Sequence, residues 1–171
     1  MYSKDEIKEL NLKFWHDFKS YSQNHPALNY QKKRWILNET QIRGVALRFE
    51  LERKNAKVIL ELQNKKEDRR LQIFEILDRY KVVLEEGFEN GLTWEFYHQR
   101  EDNGQEVCRI YTQLVNVDWH NQNQWQEIYN FFIKNMLQME ENYLMVKEMV
   151  KEELRNGEWD WWRLIVIDSD W

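Results

Sequence analysis

Residues 49–63, FELERKNAKVILELQ, carry Glu50 and Glu61 on two stretches that alternate polar with apolar, and Gln63 stands two positions after Glu61. An acid on one strand and Glu-x-Lys on the next is how metal-dependent nucleases hold a divalent ion, with Gln an occasional stand-in for Lys. Two carboxylates near enough to share such an ion would polarise a phosphoryl oxygen and activate a water. Glu50, Glu61 and Gln63 are therefore the catalytic candidates of the chain. The departures are plain: the first strand has no Asp or Pro-Asp, the third position has no Lys, and Arg48 is placed to neutralise Glu61. The stretch reads first as a hairpin whose charges answer one another, and no catalytic signature stands out.

Other reactive residues are sparse. Cys108 and His98 fall opposite each other if residues 92–99 pair with 106–114 around Asp102-Asn103-Gly104, but both then lie on the apolar face with no orienting acid, which suits a buried thiol. The four histidines make no metal-ligand spacing with one another or with Cys108, and no phosphate-cradling or nucleophile-elbow motif occurs. Neither a metal site nor a cofactor is expected.

The elements that must position these residues follow from periodicity. Ser3 and Glu6 form an S-x-x-E capping box, and Ile7, Leu10, Phe14, Phe18 and Tyr21 continue one helical stripe over 3–22. Residues 34–38, RWILN, read as a short strand. Residues 43–52 and 56–63 alternate with period two, and a turn at Lys54-Asn55 sets Phe49 against Leu60, Leu47 against Leu62, Leu51 against Val58, Arg48 against Glu61 and Glu52 against Lys57. A helix follows, with Asn64 as its cap, Glu67 closing the box and Gly87 as its stop. The second hairpin needs a three-residue loop with Gly104 in the left-handed region to keep apolar residues together. A long helix over about 123–155 carries Trp125, Ile128, Phe132, Met136, Met139, Tyr143, Val146 and Val150, and Asn156-Gly157 is its expected end. At 1.5 Å per residue it runs to about 50 Å, long enough to overhang a domain of this size and meet a second chain.

The expected fold is α+β: a largely antiparallel sheet of about five strands, helices on one face, order α-β-β-β-α-β-β-α, with a long C-terminal helix. Residues 1–157 form a single domain. Residues 158–171, EWDWWRLIVIDSDW, form a Trp-rich tail whose RLIVI segment has the character of an extra strand. The polar sheet face would gather Arg48, Glu95, Tyr97, Arg109 and Tyr111, residue types that anchor interfaces, and these are the binding-face candidates.

The chain has 171 residues and is 42% hydrophobic and 32% charged, which describes a globular domain with a real core. Its single cysteine suits a reducing, cytoplasmic setting, and its short apolar runs suit no membrane span. The net charge of −5 is uneven. Residues 1–86 hold 18 Lys and Arg against 14 Asp and Glu, while residues 87–171 hold 7 against 16. A protein partner or a second copy of the chain fits this balance. Nucleic acid is not indicated by the overall charge, although the first half is basic.

NLKFWHDFKSY (11–21), RWILNETQIRGVALRFEL (34–51), AKVILELQNK (56–65), EVCRIYTQL (106–114) and NQNQWQEIYNFFIKNM (121–136) form an ordered string of blocks. Over about residues 1–150 it resembles an uncharacterised bacterial domain family, common in Bacteroidetes. Some members of that family are appended to predicted restriction-type nuclease modules. The resemblance implies a bacterial, cytoplasmic protein with an accessory role near DNA, and it assigns no catalytic residue. The leading expectation is a non-enzymatic binding or self-association module. The alternative is a nuclease-related or nucleic-acid-accessory domain with a degenerate metal site on the 43–63 hairpin.

Overall fold

A computed structural model describes residues 1–29 and 40–168, with side chains at 1–28 and 40–157. The expected strand at 34–38 lies outside the described residues. Helix α1 (Lys4–Gln23) leads into a single turn, α2 (Pro26–Asn29). Strands β1 (Val45–Glu52) and β2 (Asn55–Leu62) form the first hairpin. Helix α3 (Glu67–Arg79) and a short α4 (Lys81–Leu84) follow, then β3 (Thr93–Gln99), β4 (Glu106–Val115) and the long α5 (Trp125–Asp168). Among the described residues the sheet is antiparallel with four strands rather than five, in the order β1-β2-β4-β3. The two hairpins thus join through β2 and β4.

The α1 capping box forms as expected. Ser3 Oγ accepts from the Glu6 amide at 3.2 Å, and Glu6 Oε2 accepts from the Ser3 amide at 2.7 Å. The next helix starts differently. Its cap position is Lys66, and Asn64 instead donates its Nδ2 to the Arg43 carbonyl at 3.1 Å. Gly87 does take positive φ (+80°), but a break at Tyr80 has already divided the helix into α3 and α4.

One side of the sheet meets the helices in a single core. Val45, Leu47, Val58, Leu60, Leu62, Cys108 and Ile110 from the strands pack with Ile73 and Leu77 of α3 and Ile128, Phe132, Met136 and Tyr143 of α5. Phe14 of α1 is fully buried, with ring centroids of Trp15 and Tyr129 at 5.0 Å and of Trp125 at 5.3 Å. Aromatic residues dominate here because each removes a large apolar area from water, and edge-on contacts add to that burial. The four tryptophans whose side chains are described, Trp15, Trp94, Trp119 and Trp125, all belong to this core or pack against it.

The β1–β2 register differs from the expected one by two residues. Leu47 pairs with Leu60, Phe49 with Val58, Glu50 with Lys57 and Glu52 with Asn55, so the turn is Arg53-Lys54. A slip of two keeps every side chain on its face, so alternation alone does not choose between the registers. Contacts from elsewhere favour the observed turn. Arg53 Nε and Lys54 Nζ donate to the Asp118 carboxylate at 2.9 and 3.1 Å, from the loop between β4 and α5.

The Arg53 guanidinium holds the Asp118 carboxyl well below the usual carboxylate range, and the His120 amide and Lys54 act in the same direction. A depressed folded-state pKa stabilises the fold above the unfolded value of about 3.9, and that stability disappears as pH falls through the folded pKa. Asp118→Asn is therefore expected to unfold at lower urea concentration than wild type at neutral pH, with the gap closing below about pH 4. A gap equally wide at pH 7 and pH 2.5 would exclude this anchor.

Helix α5 runs on past Asn156-Gly157, the expected stop, to Asp168. Gly157 does not adopt positive φ, and the Gln72 side chain of α3 lies where its Cβ would project, at 2.9 Å. Glycine inside a helix costs only about 1 kcal/mol, too little to end a helix already propagating. The backbone of RLIVI is accordingly helical, not the extra strand its β-branched residues suggested.

Candidate functional site

The sheet face away from the helical core carries most of the candidates. Arg48 and Glu50 project from β1, Lys57 and Glu61 from β2, Glu95 from β3, and Arg109 and Tyr111 from β4. Cross-strand pairing sets Glu61 beside Arg109 and Ile59 beside Tyr111. Ile59 and Val107 on this side are fully buried, so the face is more than a solvated surface.

Glu61 is 0% exposed. Arg48 Nη1 donates to its Oε2 at 2.6 Å, while Gln63 Nε2 at 2.9 Å and Arg100 Nη1 at 3.4 Å donate to Oε1. The Arg48–Glu61 pair expected from sequence thus exists, but as a diagonal contact, because Arg48 faces Ile59 directly. Glu50 belongs to a second group. Its Oε2 accepts from Arg109 Nη1 at 3.1 Å and lies 3.9 Å from Lys57 Nζ. Arg109 also donates Nη2 to Glu95 at 2.8 Å, and its guanidinium lies 4.9 Å from the Tyr111 ring centroid. Lys57 Nζ meets Glu52 at 3.2 Å.

The candidate metal carboxylates are therefore held apart by separate cations. Arg48, Lys57, Arg100 and Arg109 balance Glu50, Glu52, Glu61 and Glu95, and neither sign is in excess. Gln63 serves as a donor to Glu61, where the nuclease arrangement would have it face a substrate. Among the described residues, no group of three or more His, Cys, Asp or Glu side chains is placed to hold a metal ion. The arrangement can orient and screen charges, and Glu50, Glu52, Glu61 and Glu95 are each engaged by a cation.

Two expectations fail at a β-bulge. Glu95 pairs with Arg109, but His98 pairs with Val107, so Phe96 and Tyr97 together oppose Cys108. One extra residue turns every later side chain of the strand to the other face. His98 leaves Cys108, and the supposed thiol–imidazole pair does not form. Tyr97 leaves the polar face, and its hydroxyl donates to Glu67 at the start of α3. Burial pushes the Cys108 thiol up to about 11, which describes an inert core thiol.

The same bulge explains a residue that the sequence reading missed. Arg100 would face the core without it, yet it reaches both Glu61 and Asp102. The signal was the Arg-x-Asp spacing beside the loop. The loop itself spans 101–104, with the Arg100 amide donating to Gln105 O, and Gly104 takes the expected positive φ of +69°.

On the opposite side of the molecule, α5 shows apolar side chains to solvent. Leu144, Met145 and Met149 are 40%, 63% and 41% exposed, and Glu141, Glu148 and Glu152 stand among them. No described helix is long and apolar enough to cross a membrane.

The family model described as domain of unknown function (DUF4268) matches residues 10–147. No curated protein and no solved structure matches the chain.

Proposed function

From the premise that the chain belongs to the DUF4268 family, we propose that it is a non-enzymatic self-association module whose docking face is the solvent side of α5. The observation that carries this reading is the exposed stripe of Leu144, Met145 and Met149 on a helix of 44 residues. Methionine adapts to irregular surfaces, and an apolar helix stripe is a common seat for a second polypeptide. The occupant is a second copy of the chain. Residues 87–171 are acidic and residues 1–86 basic, so two copies offer each other complementary surfaces. We place the first contact on α5 because Arg48 is already paired with Glu61, and Arg109 with Glu95 and Glu50. The reading keeps the bacterial, cytoplasmic setting and the neighbourhood of nuclease modules that the sequence resemblance implies.

Sedimentation velocity over a concentration series tests it. Wild type is expected to associate, and Met145→Glu/Met149→Glu to weaken association by about tenfold or more, since each buried apolar side chain contributes about 1.5–3 kcal/mol. A wild type that stays monomeric throughout, or a double variant that associates equally well, would overturn the assignment. A monomer that instead captures an unrelated polypeptide through the same stripe would overturn the choice of occupant.

A further inference from the structure

The loop Thr40–Gly44 is fastened before β1 begins. Tyr143 of α5 donates its hydroxyl to the Thr40 carbonyl, and Thr40 Oγ1 donates to the carbonyls of Ile42 at 3.2 Å and Val45 at 2.7 Å. Gln41 and Gly44 both take positive φ, +61° and +86°. A Cβ at Gly44 would stand 2.3 Å from Asn64 Oδ1, so this turn admits only glycine without movement. Positive φ at Gln41, a non-glycine residue, is uncommon and is held here by the surrounding contacts.

Arg43 lies between those two turning residues. It meets Arg69 of α3 and Lys151 and Arg155 of α5 around one open notch of about 210 Å³, with the buried side chains of Ile42 and Leu154 also in its wall. Cations from three separate elements converge, and no carboxylate lines the notch among the described residues. Lys151 Nζ donates to Gln41 Oε1 at 3.3 Å and lies 3.8 Å from Glu148 Oε1. Arg69 donates to Gln72 at 2.8 Å. Arg43 and Arg155 are exposed and take part in no ion pair among the described residues. Like charges gathered this way repel, and a bound anion relieves that cost. Arg43 and Arg155 differ in this from Arg48, Lys57, Arg100 and Arg109 of the sheet face, each of which meets a carboxylate.

We propose that this notch is a phosphate-binding site. Planar guanidinium groups match phosphate oxygens with paired hydrogen bonds, and Arg43 and Arg155 retain that capacity. The volume lies below the roughly 300 Å³ at which pockets begin to enclose whole small ligands, so the notch takes the phosphate group of a larger molecule. Two sources carry that group, a free nucleotide and a nucleic-acid backbone. The proposal does not depend on self-association through α5, and it involves no metal and no cleavage.

The test uses the full chain with three probes: sodium pyrophosphate and adenosine monophosphate by calorimetry, and a fluorescent oligonucleotide by anisotropy. Arg43→Glu and Arg155→Glu are each expected to weaken phosphate binding by about tenfold or more. Lys8→Glu, the same charge change on the exposed side of α1, is expected to stay within about twofold. Arg155 lies on a helix surface, so its variant keeps the test sound if Arg43→Glu disturbs the loop. Loss confined to the oligonucleotide assigns the backbone as the source, and loss confined to the small probes assigns a nucleotide. Absence of binding by wild type to all three probes would overturn the site. So would an equal loss in Lys8→Glu, which would mean diffuse attraction to a basic surface.

Discussion

Glu61→Ala is expected to lower the stability of the domain by about 3–5 kcal/mol, because removing one member of a buried ion pair leaves its partner uncompensated. The carboxylate is wholly buried and accepts from Arg48, Arg100 and Gln63. Arg48 and Arg100 keep some solvent access, with 26% and 18% of the side chain exposed, which draws the estimate toward the lower end. Differential scanning calorimetry should show a fall in Tm of roughly 6–12 °C, given about 2–4 °C per kcal/mol in a chain of this size. The double variant Arg48→Met/Glu61→Leu should recover much of the loss, since a buried ion pair replaced by well-packed apolar groups is often neutral. The sign of the effect separates two roles for Glu61. A carboxylate kept for chemistry sits at a site that sacrifices stability for activity, and its removal tends to stabilise the fold. A stability change within about 1 kcal/mol of zero, or a gain, would return Glu61 to the catalytic candidates.

Phe14→Ala is expected to destabilise by about 3–5 kcal/mol through loss of apolar burial and the cavity that remains. Phe14 has no exposed surface and contacts Trp15, Trp119, Trp125, Tyr129 and Phe132. These rings join α1, the loop after β4 and the start of α5 into one cluster. The Tyr129 hydroxyl also donates to the Phe14 carbonyl at 3.0 Å, so the backbone of α1 is pinned at the same point. Stiff rings at such a junction collapse poorly into a void, which places the cost at the upper end of the range. Urea unfolding followed by tryptophan fluorescence would measure it, because Trp15, Trp119 and Trp125 surround the cavity. Hydrogen exchange should show α1 opening first, since its other anchors, Leu10 and Phe18, are fewer than those of α5. A loss below about 1.5 kcal/mol would mean that α1 is held elsewhere.

Much of the fold was legible because its signals are local. Ser3 and Glu6 marked the start of α1, and period-two alternation marked both hairpins and assigned the faces of β1, β2 and β4. Gly104 marked the second loop, and the apolar seam from Trp125 to Val150 marked α5. The pairing of Arg48 with Glu61 was also within reach, since both residues lie on one face under either register.

What local pattern leaves open is whatever moves by two residues, or by one at an irregularity. The β1–β2 register slipped by two with no change of face, and contacts to the distant Asp118 accompany the turn that formed. The bulge at Phe96-Tyr97 sent Tyr97 toward α3 and brought Arg100 into the ion network, although neither residue type announces a bulge. Asn156-Gly157 carries a stop signal that a helix already propagating can override at small cost. The sequence by itself determined most of the elements, the faces of β1, β2 and β4 and the absence of any familiar catalytic motif, because side-chain alternation and capping act over a few residues. Beyond Arg48 with Glu61, only the tertiary structure decided which charges meet. It closed Glu50 and Glu61 into separate ion pairs and left Arg43 and Arg155 around a notch with no ion pair among the described residues, because those distances depend on how three remote elements pack.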